Sequence, residues 1–131
     1  MSAADTELVT GIYERWAEGD FETLDVFDPH VVFIMPPDFP DAGIYFGVEG
    51  VREYMYEFLR SWDRATIEAE EVIPGEGGVV VAVNQRASGS GSGAVTDFRY
   101  FHVWSLRAGK VIRLETIRKR ADALGLIGVR E

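Results

Sequence analysis

Along this chain the apolar positions first recur every three or four residues and then, from about residue 65, every second residue. Leu8, Val9, Ile12, Tyr13 and Trp16 form one stripe, predicting an amphipathic helix that Asp5 caps and Gly19 stops. A short second helix is expected over 21–27, with Phe21, Leu24 and Phe27 inward and Asp28-Pro29 ending it. Val31, Val32, Phe33, Ile34 and Met35 make a continuous apolar run, which predicts a strand buried on both faces. Pro36, Pro37, Pro40 and Gly43 turn the next stretch into a loop or lid. Residues 48–62 return to the helical period, with apolar positions 48, 51, 55, 58, 59 and 62 and Tyr54 at the edge of the stripe.

The second half reads as strands over 66–73, 79–87, 94–106 and 111–118, with turns at 74–78 and 107–110, a Ser-Gly hairpin tip at 88–93 and a short closing helix over 121–126. Helices followed by consecutive strands is an α+β order, and it predicts a single domain over 1–131 with an antiparallel sheet curved around the helices. On the strand 94–106, alternation puts Phe98, Tyr100, His102, Trp104 and Leu106 on one face and Arg99, Phe101, Val103 and Ser105 on the other. Both faces carry apolar side chains and need cover. The helices can supply one cover, and a second copy of the chain is expected to supply the other, hence a homodimer.

Composition narrows the chemistry. The chain contains no cysteine, so disulfides, thiolate metal sites and thiol nucleophiles are excluded. It has 22 acidic and 13 basic residues, a formal net charge of −9, which repels nucleic acid and anionic membranes. Residues 1–76 hold 18 of the acids and 4 of the bases, so an acidic helical half is expected to lie over a more basic sheet, the alternative being that some of the late arginines meet an anionic ligand or a second subunit. No apolar run approaches the ~20 residues that span a bilayer, and the N-terminus has no signal-peptide pattern; a cytoplasmic location is expected. His30 and His102, the two histidines, lie far apart in the strand plan and form no HExxH or His-x-His pair, so no metal site is expected. The 89–94 segment loosely fits G-x-G-x-x-A, but a strand follows where a nucleotide-binding helix is required, so no nucleotide cofactor is expected either.

Four segments in order, Tyr13-Glu14-Arg15-Trp16-Ala17-Glu18-Gly19-Asp20, Asp28-Pro29-His30-Val31-Val32-Phe33, Gly47-Val48-Glu49-Gly50-Val51-Arg52-Glu53-Tyr54 and His102-Val103-Trp104-Ser105-Leu106-Arg107-Ala108-Gly109-Lys110-Val111, resemble the SnoaL-like branch of the NTF2-like (cystatin-like α+β) superfamily. The resemblance implies a cone: a curved, mixed, mostly antiparallel sheet wrapped around the N-terminal helices, an internal apolar pocket at its wide end, and dimerisation through the outer face of the sheet. The superfamily includes ketosteroid isomerases, polyketide cyclases, dehydratases, epoxide hydrolases and non-catalytic modules, so the fold does not dictate the reaction. Where its isomerases carry the catalytic carboxylate this chain has Met35 before Pro36. Their oxyanion-binding tyrosine matches Ile12, next to Tyr13, and their second acid matches His102.

The expected site follows from faces and resemblance together. His102, Tyr54 and Tyr13 are the candidate catalytic groups, an imidazole to move a proton and phenols to stabilise developing charge. Trp16, Phe33, Met35, Phe58, Trp62, Tyr100, Trp104, Leu114, Thr116 and Arg118 are the candidate contacts to a small apolar oxygenated ligand. Asp38 and Asp41, in the loop, are the candidates for the carboxylate missing at Met35. The expected function is a cofactor-independent acid–base enzyme of isomerase, cyclase or dehydratase type. The alternative is a non-catalytic ligand-binding or dimerisation module of the same fold.

Overall fold

The computed structural model describes residues 3–37, 39, 42–60, 62–89 and 95–130, without the side chains of Trp62 and Asp63. Helix α1 (Ala3–Ala17) buries Val9, Ile12, Tyr13 and Trp16. It starts before Asp5, which therefore sits in the first turn, where a carboxylate favours the positive end of the helix dipole. It ends in a Schellman arrangement: Gly19 at φ +85° allows the Asp20 N–H to reach the Arg15 carbonyl and its own N–H to reach that of Trp16. The expected helix over 21–27 is not formed. One 3₁₀ turn, Leu24–Val26, stands there, and Phe27 already opens strand β1 (Phe27–Met35) by pairing with Val111. Seven residues are too few to nucleate a helix on their own, while Arg15 ties the segment down through Asp20, Asp25 and the Glu22 carbonyl.

Strand β2 (Gly43–Phe46) lies inside the stretch read as loop and pairs antiparallel with β1; four residues are too few to display an alternation. Helix α2 (Gly47–Arg60) ends before Trp62, which opens β3 (Trp62–Gly75). Strands β4 (Gly78–Gly89), β5 (Val95–Arg107) and β6 (Lys110–Ile117) follow, and α3 (Arg120–Leu126) closes the chain. The sheet is curved and unclosed, in the order β2-β1-β6-β5-β4-β3, antiparallel throughout except for the parallel β1–β6 pair. That pair joins the two halves of the sequence. The register of β1 shifts between Phe27 and Val32, around Pro29, which has no N–H to give to a ladder.

Helices α1 and α2 pack on the inner face of the sheet, against Val79, Val81 and Val83 of β4, Tyr100 and Trp104 of β5 and Leu114 of β6. The outer face corrects the reasoning that led to a second copy on strands 79–87 and 94–106. Val80 and Val103 are covered by Ala123, Leu124 and Ile127 of the chain's own C-terminal segment, with Ile73, Phe101 and Ile117 around them. Glycines of the β3–β4 turn make the seat: a Cβ on Gly75 would stand 2.7 Å from the Ile127 carbonyl oxygen, and the Gly77 N–H bonds that same oxygen. Charge is arranged differently from the expected helix-over-sheet contact. Late arginines Arg99 and Arg120 pair with Glu70 and Glu71 of β3. No helix among the described residues is long and apolar enough to cross a membrane.

Candidate active site

Between the helices and the inner face lies a cavity of about 540 Å³ of empty space, part of it continuous with solvent. Every layer contributes to its wall. Trp16 comes from α1; Phe21, Thr23 and Leu24 from the segment after it; Phe27, Phe33 and Met35 from β1; Val51, Tyr54, Met55 and Phe58 from α2; and Ile67, Gln85, Tyr100, His102 and Leu114 from β3 to β6. No Asp or Glu stands among these wall residues. The candidate catalytic groups His102 and Tyr54 and the expected contacts Trp16, Phe33, Met35, Phe58, Tyr100 and Leu114 thus come together around one space.

Others do not. Tyr13 and Trp104 are buried behind His102 rather than on the wall, Trp104 completely. Thr116 pairs with His102 across β5–β6 but is fully buried away from the cavity, its Oγ1 without a partner among the described residues. The Arg118 guanidinium lies over the Phe98 ring, 5.9 Å from its centre, and does not line the cavity. Trp104 and Thr116 do lie on the inner face that the alternation gives them, but a twisted sheet shares its inner face between cavity and packed core, and sequence alternation does not divide the two. The Trp62 side chain, Asp38 and Asp41 lie outside the described residues.

Thr23 and Gln85 are wall residues that the sequence reading missed. Gln85 carried a signal: it is the polar member of the inward series Val79, Val81, Val83, Gln85. Thr23 carried none, because its position follows from the 3₁₀ turn. Both are tied to aromatic donors, the Trp16 indole N–H giving to Thr23 Oγ1 at 3.3 Å and the Tyr100 hydroxyl to Gln85 Oε1 at 2.9 Å.

The polar centre of the site is a chain of three side chains. Trp104 Nε1 lies 2.8 Å from the Tyr13 hydroxyl oxygen, which in turn lies 2.6 Å from His102 Nδ1. An indole N–H only donates, so Tyr13 accepts from Trp104. Among the described residues Nδ1 is the one acceptor in reach of the phenolic proton. Burial raises the Tyr13 phenol well above its ordinary pKa and lowers the His102 imidazole to about 3, so both are neutral at physiological pH. A neutral imidazole whose Nδ1 accepts carries its proton on Nε2, and Nε2 has no partner among the described residues. His102 therefore meets the cavity as a fixed donor, set among Tyr100, Trp16 and Trp104 with ring centres 5.0 to 6.3 Å away.

A comparison with curated protein sequences finds no match. Solved structures are similar over nearly the whole chain. TerC, co-crystallised with polyporic acid, is 22% identical, with a TM-score of 0.76 and coverage of 97% of this chain and 100% of that one. An NTF2-like protein of unknown function from Burkholderia pseudomallei is 20% identical at a TM-score of 0.78, covering 98% and 100%. A putative SnoaL-like polyketide cyclase from Jannaschia is 16% identical at 0.76, covering 100% and 98%. At such identities the likeness establishes the NTF2-like fold. The sequence profile of the SnoaL-like domain matches residues 9–114, and by that match the chain belongs to the SnoaL-like family.

Proposed function

We propose that the protein binds a small, largely apolar ketone in this cavity and activates it through one hydrogen bond from His102 Nε2–H to the carbonyl oxygen. The observation that carries the reading is the Trp104–Tyr13–His102 chain, which leaves the imidazole neutral and its free nitrogen protonated. A donor held in an apolar site strengthens its bond as negative charge builds on the oxygen, as in enolisation or addition to the carbonyl. The roles expected from sequence are thereby redistributed: His102 polarises rather than abstracts, and Tyr13 serves His102 rather than the ligand. Ring closure or isomerisation of an oxygenated substrate fits such a site, and the similarity to a putative polyketide cyclase supports it. A second reading, binding without turnover, is favoured by the absence of Asp and Glu from the described wall.

The test uses 2-acetylnaphthalene as a probe ketone and reads its bound C=O stretch by infrared difference spectroscopy. The band is expected to shift to lower frequency in the wild-type cavity and to return toward its value in apolar solvent in His102→Phe, with affinity kept within about tenfold, the loss of one modest hydrogen bond. Equal frequencies in both proteins would overturn the reading.

The protein is further proposed to be a homodimer, through a part of the outer sheet face that α3 leaves open. There Ile44 and Phe46 of β2 are 56% and 69% exposed. They pair with half-buried Ile34 and Val32 of β1. Four contiguous apolar side chains on one face suit an isologous contact.

A further inference from the structure

We propose that Trp104, which does not touch the cavity, is a positioning and specificity-determining residue: its indole N–H directs the Tyr13 phenolic proton onto His102 and so presents His102 to the ligand as a donor only. The inference rests on the donor reading of His102 given above and names what holds it in place. A phenol has one proton, which lies near the plane of its ring and has two positions there, one on either side of the C–O axis. With the Trp104 N–H set against the oxygen at 2.8 Å and His102 Nδ1 at 2.6 Å, the proton has to turn toward the imidazole.

The opposite tautomer, with Nδ1–H donating to Tyr13, would make the phenol oxygen accept twice. Its own proton would then have no acceptor, and its one remaining in-plane position would be set against the Trp104 N–H, an added penalty that Trp104 itself supplies. Trp104 is completely buried and its ring is wedged against Tyr13, Trp16 and Phe27 at centre distances of 5.8 to 6.2 Å, so its N–H cannot swing away. The consequence at the cavity is selection by donor and acceptor: a carbonyl oxygen accepts from Nε2–H with nothing left over, whereas a hydroxyl accepts there only by turning its own proton away toward the apolar wall. Specificity for acceptors is then set by a residue one shell behind the ligand.

Two measurements test this on the intact chain. The first is the ¹⁵N NMR spectrum of the imidazoles, which is simple here because the chain has two histidines and His30 is exposed. The second is the ratio of dissociation constants for 2-naphthol, whose O–H seeks an acceptor, and 2-acetylnaphthalene. Wild type is expected to show protonated Nε2 and to prefer the ketone. In Trp104→Phe, the Nδ1–H form should become populated to a tenth or more and the preference should fall by about tenfold, the scale of one unmatched buried donor. Tyr13→Phe removes the phenol and should move both readouts the same way, which keeps the test open if Trp104→Phe does not fold. A folded Trp104→Phe protein with wild-type tautomer and selectivity would overturn the role of Trp104 while leaving the donor reading intact. If Trp104→Phe does not fold, a folded Tyr13→Phe protein with both readouts unchanged would overturn it equally. Protonated Nδ1 in the wild type would overturn both.

Discussion

At the scale of single residues, His102 couples function to stability through its proton. Its folded-state pKa of about 3 lies below the ordinary 6.5, so between these values the unfolded chain binds a proton that the folded chain refuses. Stability is thus fully present above pH 6.5 and is lost as pH falls toward 3, at a rate of at most about 1.4 kcal/mol per pH unit from this group. Denaturant unfolding of the wild type and of His102→Gln at a series of pH values should therefore show curves that are parallel above pH 7. Below pH 6.5 the wild type should fall away more steeply. Surface carboxylates contribute equally to both proteins and cancel in the comparison. Curves that stay parallel down to pH 4 would mean that the imidazole is hydrated or is paired with a carboxylate.

Among the elements, the β5–β6 hairpin gives the clearest local test. Its two central residues, Ala108 and Gly109, both have positive φ, +52° and +77°, as a type I′ turn requires. Gly109 suits that backbone and Ala108 does not, since an L side chain there crowds the neighbouring carbonyl. Ala108→Asn is expected to raise stability by about 1 kcal/mol, visible as a higher unfolding midpoint with an unchanged denaturant slope. The turn itself was legible from Arg107-Ala108-Gly109-Lys110, as were α1, α2 and β4 to β6, because each repeats its period over enough residues. β2 and the 3₁₀ turn were not. Both are three or four residues long, and their conformations come from pairing with β1 and from the Arg15 ion pairs rather than from local pattern.

For the whole molecule, the division of the outer sheet face is the main consequence. The part over Val80 and Val103 is closed by α3 and Ile127, which leaves the β1–β2 patch as the proposed contact between copies. Sedimentation at micromolar concentration should give twice the 14.6 kDa chain mass, and Phe46→Glu should return the monomer by placing a charge in the middle of an apolar contact. A wild-type monomer at that concentration would remove the proposal. If instead Phe46→Glu stays dimeric, the contact lies elsewhere on the sheet.

Pattern and composition by themselves determined the α+β order, the inward face of the long strand, and the absence of thiol chemistry, since each depends on residue type and spacing along one segment. Together with the family resemblance they also brought His102, Tyr100, Trp16 and Met35 to one side. Only the tertiary structure decided which members of that side face empty space, because cavity and core share one curved surface. It decided, too, the part played by Tyr13 and Trp104, 89 and 91 residues from their partners in sequence. Hydrogen-bond direction depends on distances of a few tenths of an ångström between α1 and β5, and no spacing in a linear sequence encodes them. The closure of the outer face belongs to the same class, for a short C-terminal helix shows its destination only once the Gly75–Gly77 seat exists to receive it.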